Sequence, residues 1–392
     1  MKRRDFIQLS TFATTALMVP GFLKAANPFI TANGKKLVVV QLSGGNDGLN
    51  TIIPYRNDIY YKVRPTIALK EDKMIRMNDE LAMNDAMVDM KELFDQGLVT
   101  IINNVGYPNP DRSHFRSMDI WHTASDSQEY LTTGWLGRYL DATCQGCAKP
   151  VSAIEVDDSL SLAMKGETIN GLALHNVNLF YKMVKDTEPF NKPGFSSTND
   201  NLNYLYKTLA ETFSSAAYLY AKSDIYHSKM AYPNSGFAKD LKTIAELIVS
   251  GVDTSVFYTS LGGFDTHVNQ LGAQAGHLKE LSEGLCSFVN DLKTNSRLDD
   301  VTVFVFSEFG RRVQQNASNG TDHGTANNVF IIGSQLKKPG VFNETPDLAQ
   351  LDQGDLVHQV DFRQVYATLL SKCLGANDEL ILGKKFEQLK FV

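Results

Sequence analysis

The sequence LVVVQLSGGNDG, residues 37–48, decides the fold. Its first half is a continuous run of apolar, largely β-branched residues, a pattern typical of a strand that is buried on both faces of a parallel sheet. Its second half is a polar turn rich in glycine. Four similar apolar runs occur further along the chain, at residues 98–102, 255–261, 301–306 and 329–332. We therefore expect a central sheet that other layers cover on both sides.

Helical patterns separate these predicted strands. Apolar residues recur at helical spacing in the segments 84–96, 114–123, 202–220, 237–249, 278–292 and 362–374. Strands that alternate with helices indicate an α/β fold with a mostly parallel central sheet flanked by helices. The polar stretch at residues 182–203 resembles a surface excursion, so we interpret residues 27–392 as one domain with a helical insertion around residues 182–250.

The composition is that of an ordinary globular protein. Of the 392 residues, 43% are hydrophobic and 21% are charged, which excludes a disordered, collagen-like or coiled-coil chain. The formal net charge is −6. Because nucleic-acid binding needs a basic surface, we expect no nucleic-acid partner.

The first 26 residues resemble an export signal. Arg3 and Arg4 precede Phe6 and Ile7, as in the twin-arginine motif, and residues 9–23 are uncharged and mainly apolar. That run is shorter than the ~20 residues that cross a bilayer, and no later segment is long enough. We expect a twin-arginine signal peptide at residues 1–26 and a periplasmic or otherwise exported mature protein without a transmembrane segment.

Polar clusters lie at the ends of the predicted strands. The carboxyl ends of parallel strands share one edge of a sheet, and ligands bind in the crevice there, so distant segments would converge on one site. The clusters supply a mixed set of carboxylates and imidazoles, namely Asp47, Asp265, His267, Glu308, Asp322 and His323. So many acids would repel one another without a cation. We expect them to bind a divalent metal, with zinc favoured and manganese, calcium or magnesium as alternatives.

The segment Arg112-Ser113-His114 lies at the start of the predicted helix 114–123. Ser113 could act only as the helix N-cap, or it could also be a nucleophile, because helix N–H groups and a nearby cation would favour its alkoxide form. Arg112 and Arg116 flank it, and a guanidinium group can bind two oxygens of a tetrahedral oxyanion. We take Ser113, Arg112 and His114 as the candidate catalytic residues.

These motifs resemble those of the exported family called domain of unknown function 1501, which is similar to the alkaline phosphatase and sulfatase superfamily. The matching stretches are LSGGNDGLN from Leu42, RSHF from Arg112, GGFDTHVNQ from Gly262, SEFGR from Ser307, GTDHG from Gly320 and DFRQVYATLL from Asp361. The resemblance implies an alkaline-phosphatase-like sheet and a metal-assisted hydrolase site. In that site Ser113 is the nucleophile, and the metal ligands are Asp47, Asp265, His267, Glu308 and His323.

The chain departs from the superfamily pattern in two places. Alkaline phosphatases carry Asp-His where this chain has Glu308-Phe309, and a phenylalanine cannot bind a metal, so a site with one ion is as plausible as a site with two. Sulfatases form their formylglycine in a Cys/Ser-x-Pro-x-Arg motif. This chain has Ser113-His114-Phe115-Arg116 there, so formylglycine chemistry is not expected.

The sequence favours an exported metal-dependent hydrolase of phosphate or sulfate esters that uses a serine nucleophile. Its substrate would be a small-molecule or polysaccharide ester, and an envelope protein is a further candidate partner. The alternative is a catalytically degenerate binding or assembly protein of the same fold with one structural metal, an alternative that Phe309 favours. Redox chemistry through a cofactor loaded before export is a third hypothesis, which rests on the signal peptide alone.

Overall fold

The computed structural model describes residues 34–144, 151–185 and 200–392, apart from the side chains of residues 200, 203, 204 and 207. The predicted signal peptide at residues 1–26 lies outside the described residues, as does the segment 186–199 of the polar stretch. None of the helices in the described ranges has the length and apolar composition needed to cross a bilayer.

The strands of the described residues are β1 (Lys36–Leu42), β2 (Ile52–Ile53), β3 (Met74–Arg76), β4 (Ala82–Asn84), β5 (Val99–Gly106), β6 (Ala153–Glu155), β7 (Leu172–Ala173), β8 (Val256–Leu261), β9 (Val301–Ser307), β10 (Asn327–Ile332), β11 (Gly340–Val341), β12 (Leu351–Asp352), β13 (Asp355–Leu356) and β14 (Val360–Asp361).

The α-helices of the same ranges are α1 (Gly48–Thr51), α2 (Asp58–Val63), α3 (Val88–Asp95), α4 (His114–Thr123), α5 (Trp135–Thr143), α6 (Val177–Val184), α7 (Asp200–Ser223), α8 (Gly236–Val249), α9 (Gln270–Thr294), α10 (Phe362–Thr368) and α11 (Asp378–Leu382). A π-helical turn, Leu369–Cys373, continues α10. The helices α6, α7 and α8 lie between β7 and β8, where the sequence predicts an insertion.

The large sheet has the strand order β11-β5-β10-β9-β1-β8-β6-β7, and β14 also pairs with β5. Every pairing in this sheet is parallel except those of β10, which is antiparallel to β5 and β9. The mostly parallel central sheet is therefore confirmed, and all five predicted strands belong to it. The other strands form a small sheet, β2-β4-β3, and a hairpin, β12-β13.

Both faces of the sheet are covered by helices. Along β1, Val38 and Val40 pack into a core shared with α3, α8 and α9, whereas Leu37 and Val39 pack into a second core shared with α4, α5 and α10. All four side chains are fully buried. Burial of such a side chain contributes roughly 1.5–3 kcal/mol, so the continuous apolar run fixes β1 in the middle layer.

One edge of the sheet collects the polar loops. The last residues of three neighbouring strands are in register, since Leu42 of β1 pairs with Leu261 of β8 and with Ser307 of β9. β10 runs in the opposite direction, so the segment 320–324 that precedes it lies at this same edge. The loops after β1, β8 and β9 and the loop before β10 thus converge, as the sequence predicts.

Candidate metal centre

Three histidines direct their Nε2 atoms at one carboxylate oxygen. Asp265 Oδ1 lies 3.0 Å from Nε2 of His267, 3.3 Å from Nε2 of His323 and 3.4 Å from Nε2 of His114. The Nε2 atoms of His267 and His323 are 3.0 Å apart. Ligand atoms bound 2.0–2.1 Å from a tetrahedral zinc ion stand about 3.3 Å apart. The ligand atoms of His114, Asp265 and His323 all lie within 4.8 Å of one another, so these three could hold one ion, and His267 lies beside them. We call these four residues the histidine cluster.

Close approach between loops assembles the histidine cluster. His114 is the first residue of α4, Asp265 and His267 follow β8, and His323 precedes β10. Gly44, with φ +117°, allows the loop after β1 to pass against the loop after β8, because a Cβ on Gly44 would lie 2.5 Å from the backbone nitrogen of Asp265. The glycine in this turn is therefore needed for packing as well as for backbone conformation.

In each histidine the other ring nitrogen, Nδ1, contacts an oxygen. The pairs are His114 with Glu308 (2.9 Å), His267 with Asp322 (3.2 Å) and His323 with the backbone carbonyl of Arg112 (2.7 Å). Metal-binding histidines commonly use their second nitrogen in this way, which fixes the tautomer and aims the free nitrogen at the ion. The structure thus places Glu308 and Asp322 behind histidines, which differs from their predicted place as direct metal ligands.

Arg311 fixes the carboxylate of the histidine cluster. Its side chain is fully buried and donates to Asp265 Oδ1 at 2.6 Å, and it also donates to the carbonyls of Gly45 (2.6 Å) and Thr321 (3.0 Å). Burial opposes ionisation of Asp265, but the hydrogen bond and charge of Arg311 outweigh it and lower the pKa of Asp265 to about 2. Arg311 is the last residue of the SEFGR motif, but nothing in the sequence marks it as the partner of Asp265.

A free imidazole nitrogen and an excess of negative charge at the site both favour a bound cation. His114 Nε2 is buried, and in the part of the chain that the structure describes it has no hydrogen-bond partner. The hydrogen bond with Glu308 raises the pKa of His114, whereas burial lowers the pKa of His323. Three carboxylates, those of Asp265, Glu308 and Asp322, stand against two guanidinium groups, since Arg311 pairs with Asp265 and the charge of Arg312 acts on Asp322. Neutral histidines therefore leave an excess of negative charge. A divalent ion would offset that excess and take up the free nitrogen.

Asp47 lies in a different setting. Its carboxylate is 2.6 Å from Arg64 Nη1, and both side chains are 0% exposed. Gln270 donates to the same carboxylate, which also caps α1 by accepting from the backbone of Leu49. Asp47 as a metal ligand therefore stays a prediction, and the structure gives its carboxylate a buried guanidinium partner instead of an imidazole neighbour. No signal in the sequence marks Arg64 as this partner.

The predicted catalytic residues occupy distinct positions. Ser113 is exposed at the start of α4, and its side chain makes no capping hydrogen bond. The Arg112 side chain instead pairs with the buried carboxylate of Asp355 through Nε (2.8 Å) and Nη2. Arg116 donates to backbone carbonyls and lies over the ring of Tyr130. Of the two arginines, neither presents a free guanidinium to Ser113, while His114 belongs to the histidine cluster.

Phe309 packs against the histidine cluster. Its ring centroid lies 4.8 Å from that of His114 and 4.9 Å from that of His323. The residue is buried, and a Cβ on Gly45 would lie 2.2 Å from its ring. An apolar wall therefore stands where the resemblance predicts a metal-binding histidine.

A family model described as protein of unknown function (DUF1501) matches residues 100–385. The chain belongs to this family. All four residues of the histidine cluster lie within the matched range of the DUF1501 chain, whereas Asp47 and Arg64 precede it. No protein of curated function matches the sequence.

Several solved structures are similar to the DUF1501 chain, with a sequence identity of about one residue in ten. The C-terminal periplasmic domain of EcEptC from Escherichia coli, in complex with Zn, is 10% identical with a TM-score of 0.39, over 77% of this chain and 73% of that chain. A protein in the alkaline phosphatase superfamily from Vibrio parahaemolyticus is 10% identical with a TM-score of 0.41, over 96% and 78%. The PsFucS1 sulfatase from Pseudoalteromonas sp. is 10% identical with a TM-score of 0.40, over 99% and 75%.

Proposed function

We propose that this protein is an exported, metal-dependent hydrolase of phosphate or sulfate esters. The observation that carries the proposal is the convergence of three imidazole nitrogens on Asp265 Oδ1, each imidazole held from behind by an oxygen acceptor. A donor set of nitrogens with one carboxylate suits zinc first, and manganese next. When bound, such an ion supplies Lewis-acid polarisation of a phosphoryl or sulfuryl oxygen.

The charges around the cluster support one ion rather than two. Arg64 matches the charge of Asp47, so that acid has no need of a metal. Glu308 and Asp322 contact Nδ1 atoms of histidines, where a carboxylate strengthens the histidine as a ligand. The donors that remain are those of His114, Asp265 and His323, with His267 beside them, and they suffice to hold a single ion.

Ser113 is the proposed nucleophile. Its hydroxyl is exposed beside His114, and it stands at the N-terminus of a ten-residue helix whose free N–H groups favour negative charge. Ser113 Oγ would lose its proton to solvent and form a bond to phosphorus or sulfur as the bond to the leaving oxygen breaks, and the leaving alkoxide would take a proton from solvent. Water would then displace Ser113 Oγ and release phosphate or sulfate. The N–H groups of the first turn of α4 would stabilise the charge on the equatorial oxygens.

Metal analysis combined with ester turnover tests the proposal. The protein purified after export is expected to bind one zinc equivalent and to hydrolyse an aryl phosphate or an aryl sulfate, and His267→Ala and His323→Ala are expected to lose the metal. Ser113→Ala is expected to keep the metal and lose turnover. His227→Ala and Ser159→Ala, at exposed positions outside the histidine cluster, are the matched controls. Full turnover in Ser113→Ala would remove that residue from the mechanism, and full metal content in both histidine variants would reject the site.

The export part of the proposal has its own test. A reporter fused to residues 1–33 is expected to leave the cytoplasm through the twin-arginine route because of the pair Arg3 and Arg4. Replacement of both arginines by lysine is expected to stop export. Unchanged export of that variant would show that the route is not the twin-arginine pathway.

The second candidate is an exported binding or assembly protein with one structural ion. Two contacts favour it, namely the packing of Phe309 on two histidines and the pairing of Arg112 with Asp355. The first places an apolar ring where the resemblance predicts a histidine ligand, and the second occupies a guanidinium that could otherwise bind the oxyanion. Stoichiometric metal without turnover of any phosphate or sulfate ester would decide for this candidate.

A further inference from the structure

A cavity of about 350 Å³ adjoins the histidine cluster. Two of its lining residues also contact the cluster. The backbone carbonyl of Arg112 is 2.7 Å from His323 Nδ1, and the ring of Phe309 packs on His114 and His323. The hairpin β12-β13 and the segment that follows it form another part of the wall. A group attached to an ester at Ser113 could therefore extend into this cavity.

The cavity has no surplus positive charge. The guanidinium of Arg112, which lines it, is paired with the buried carboxylate of Asp355, and Arg312 lies 3.6 Å from the same carboxylate. Two further lining residues, Asp111 and Asp352, carry carboxylates. Burial lowers the pKa of His358, another lining residue, so its imidazole is neutral at neutral pH. Three carboxylates, those of Asp111, Asp352 and Asp355, thus stand against the guanidinium groups of Arg112 and Arg312, so the balance is negative and the cavity disfavours an anionic group.

The remaining lining groups suit hydroxyls. The side chains of Asn109 and Gln353 each offer a donor and an acceptor, and the carboxylate of Asp352 accepts. Leu356 and Val357 add apolar surface beside them. A mixture of amides, a carboxylate and aliphatic surface matches a molecule that alternates hydroxyl groups with C–H faces. The volume is near the lower end of the about 300–1,000 Å³ of small-molecule sites, so it suits a small unit rather than a long chain.

We propose that this cavity binds an uncharged, hydroxyl-rich unit, a glycosyl or polyol group, as the leaving-group side of the ester substrate. The catalytic meaning of this site rests on the proposed hydrolase function. The binding itself does not, because it requires neither the metal nor turnover, and it can therefore be measured separately.

Ligand-observed NMR with the exported protein as purified tests the proposal. The probes are the methyl β-pyranosides of glucose, galactose and mannose. Methyl β-glucuronide, which carries a carboxylate where the glucoside has its CH₂OH group, is the anionic counterpart. At least one neutral glycoside is expected to bind, and the glucuronide is expected to bind at least about 10-fold more weakly. Asp352→Ala removes one hydrogen bond to a charged group. It is therefore expected to lower the affinity for the neutral glycoside about 10-fold.

A second cavity variant and a control variant separate a loss of binding from a loss of folding. Val357→Trp places an indole at a half-exposed position of the wall and is expected to block the cavity, whereas Asp79→Ala, at a fully exposed site in another loop, is expected to bind as wild type does. Glycoside binding by a protein that turns over no ester would keep this proposal and reject the hydrolase. Absence of binding by all three neutral glycosides, tighter binding of the glucuronide, or wild-type affinity in both cavity variants would overturn it.

Discussion

Replacement of Glu308 by glutamine tests whether the histidine cluster is built as the contacts indicate. The Glu308 carboxylate is 0% exposed, lies 2.9 Å from His114 Nδ1 and accepts from the backbone nitrogen of Gly44 at 2.8 Å. Glu308→Gln keeps the volume and one acceptor oxygen but removes the charge. His114 then loses the group that raises its pKa and strengthens its Nε2 as a ligand.

The size of the effect follows from burial. Loss of a carboxylate behind a metal-binding histidine weakens metal affinity by roughly 10–100-fold. That is about 1.4–2.7 kcal/mol. Asp322 has the same relation to His267, but its side chain is 59% exposed, so water already screens it. Asp322→Asn is therefore expected to weaken affinity by no more than about 1 kcal/mol, or roughly fivefold.

The assay is a competition titration of the metal-free protein against a zinc chelator of known affinity, which gives both stoichiometry and the dissociation constant. Glu308→Gln and Asp322→Asn are each expected to bind one equivalent of zinc, with affinity reduced by about 10–100-fold in the first and by no more than roughly fivefold in the second. Glu283→Gln on α9 is the control and is expected to keep the wild-type affinity. If Glu308→Gln bound no metal while His114→Ala still did, Glu308 would be a direct ligand. A larger loss in Asp322→Asn than in Glu308→Gln would refute the reasoning from burial.

Three further predictions concern stability. Asp47→Asn leaves the buried Arg64 guanidinium without its counter-charge, so denaturant titration is expected to show a loss of roughly 3–5 kcal/mol with zinc stoichiometry unchanged; a loss of zinc at normal stability would contradict it. Burial raises the pKa of Glu155 from 4.5 to about 7, so the native state binds the proton more tightly and loses stability as pH rises from about 4.5 through about 7. Glu155→Gln is expected to flatten that slope and to be up to about 3 kcal/mol more stable at pH 8, and an unchanged slope would contradict the assignment. Free zinc at 100 times its dissociation constant is expected to raise the free energy of unfolding by about 2.7 kcal/mol in the wild type, and equal stabilisation of His323→Ala would contradict the site.

The central part of the fold could be predicted because it depends on local patterns. The run at residues 37–42 is apolar in both alternating registers except at Gln41, and the structure buries both sets of side chains. The helix predicted at residues 114–123 has the bounds that the structure gives α4. The strands β6 and β7 could not be predicted, since segments of three and two residues are too short to show a period. The reversed direction of β10 could not be read either, because an apolar run looks the same in both directions.

The place of the site could be predicted for a topological reason. Polar loops that follow parallel strands meet at one edge, and the loop before a reversed strand joins them there. Strand order alone assigns residues to an edge of the sheet, and the structure brings His267, Asp265 and His323 together at that edge. It does not tell which atoms of the loops face one another. The roles of Glu308 and Asp322 depend on which ring nitrogen each of them contacts, and only tertiary packing decides that.

Asp47 and Asp265 show why residue type alone could not separate a structural acid from a candidate ligand. Both follow a buried strand and a pair of glycines, and each contacts an arginine at 2.6 Å. The difference lies in what surrounds the pair. Arg64 and Asp47 are both 0% exposed, so the pair is closed and metal binding would have to expel a buried cation. Arg311 is equally buried, but Asp265 is 48% exposed and faces imidazole nitrogens. Arg311 can therefore hold one side of that carboxylate while the other side stays open to an ion.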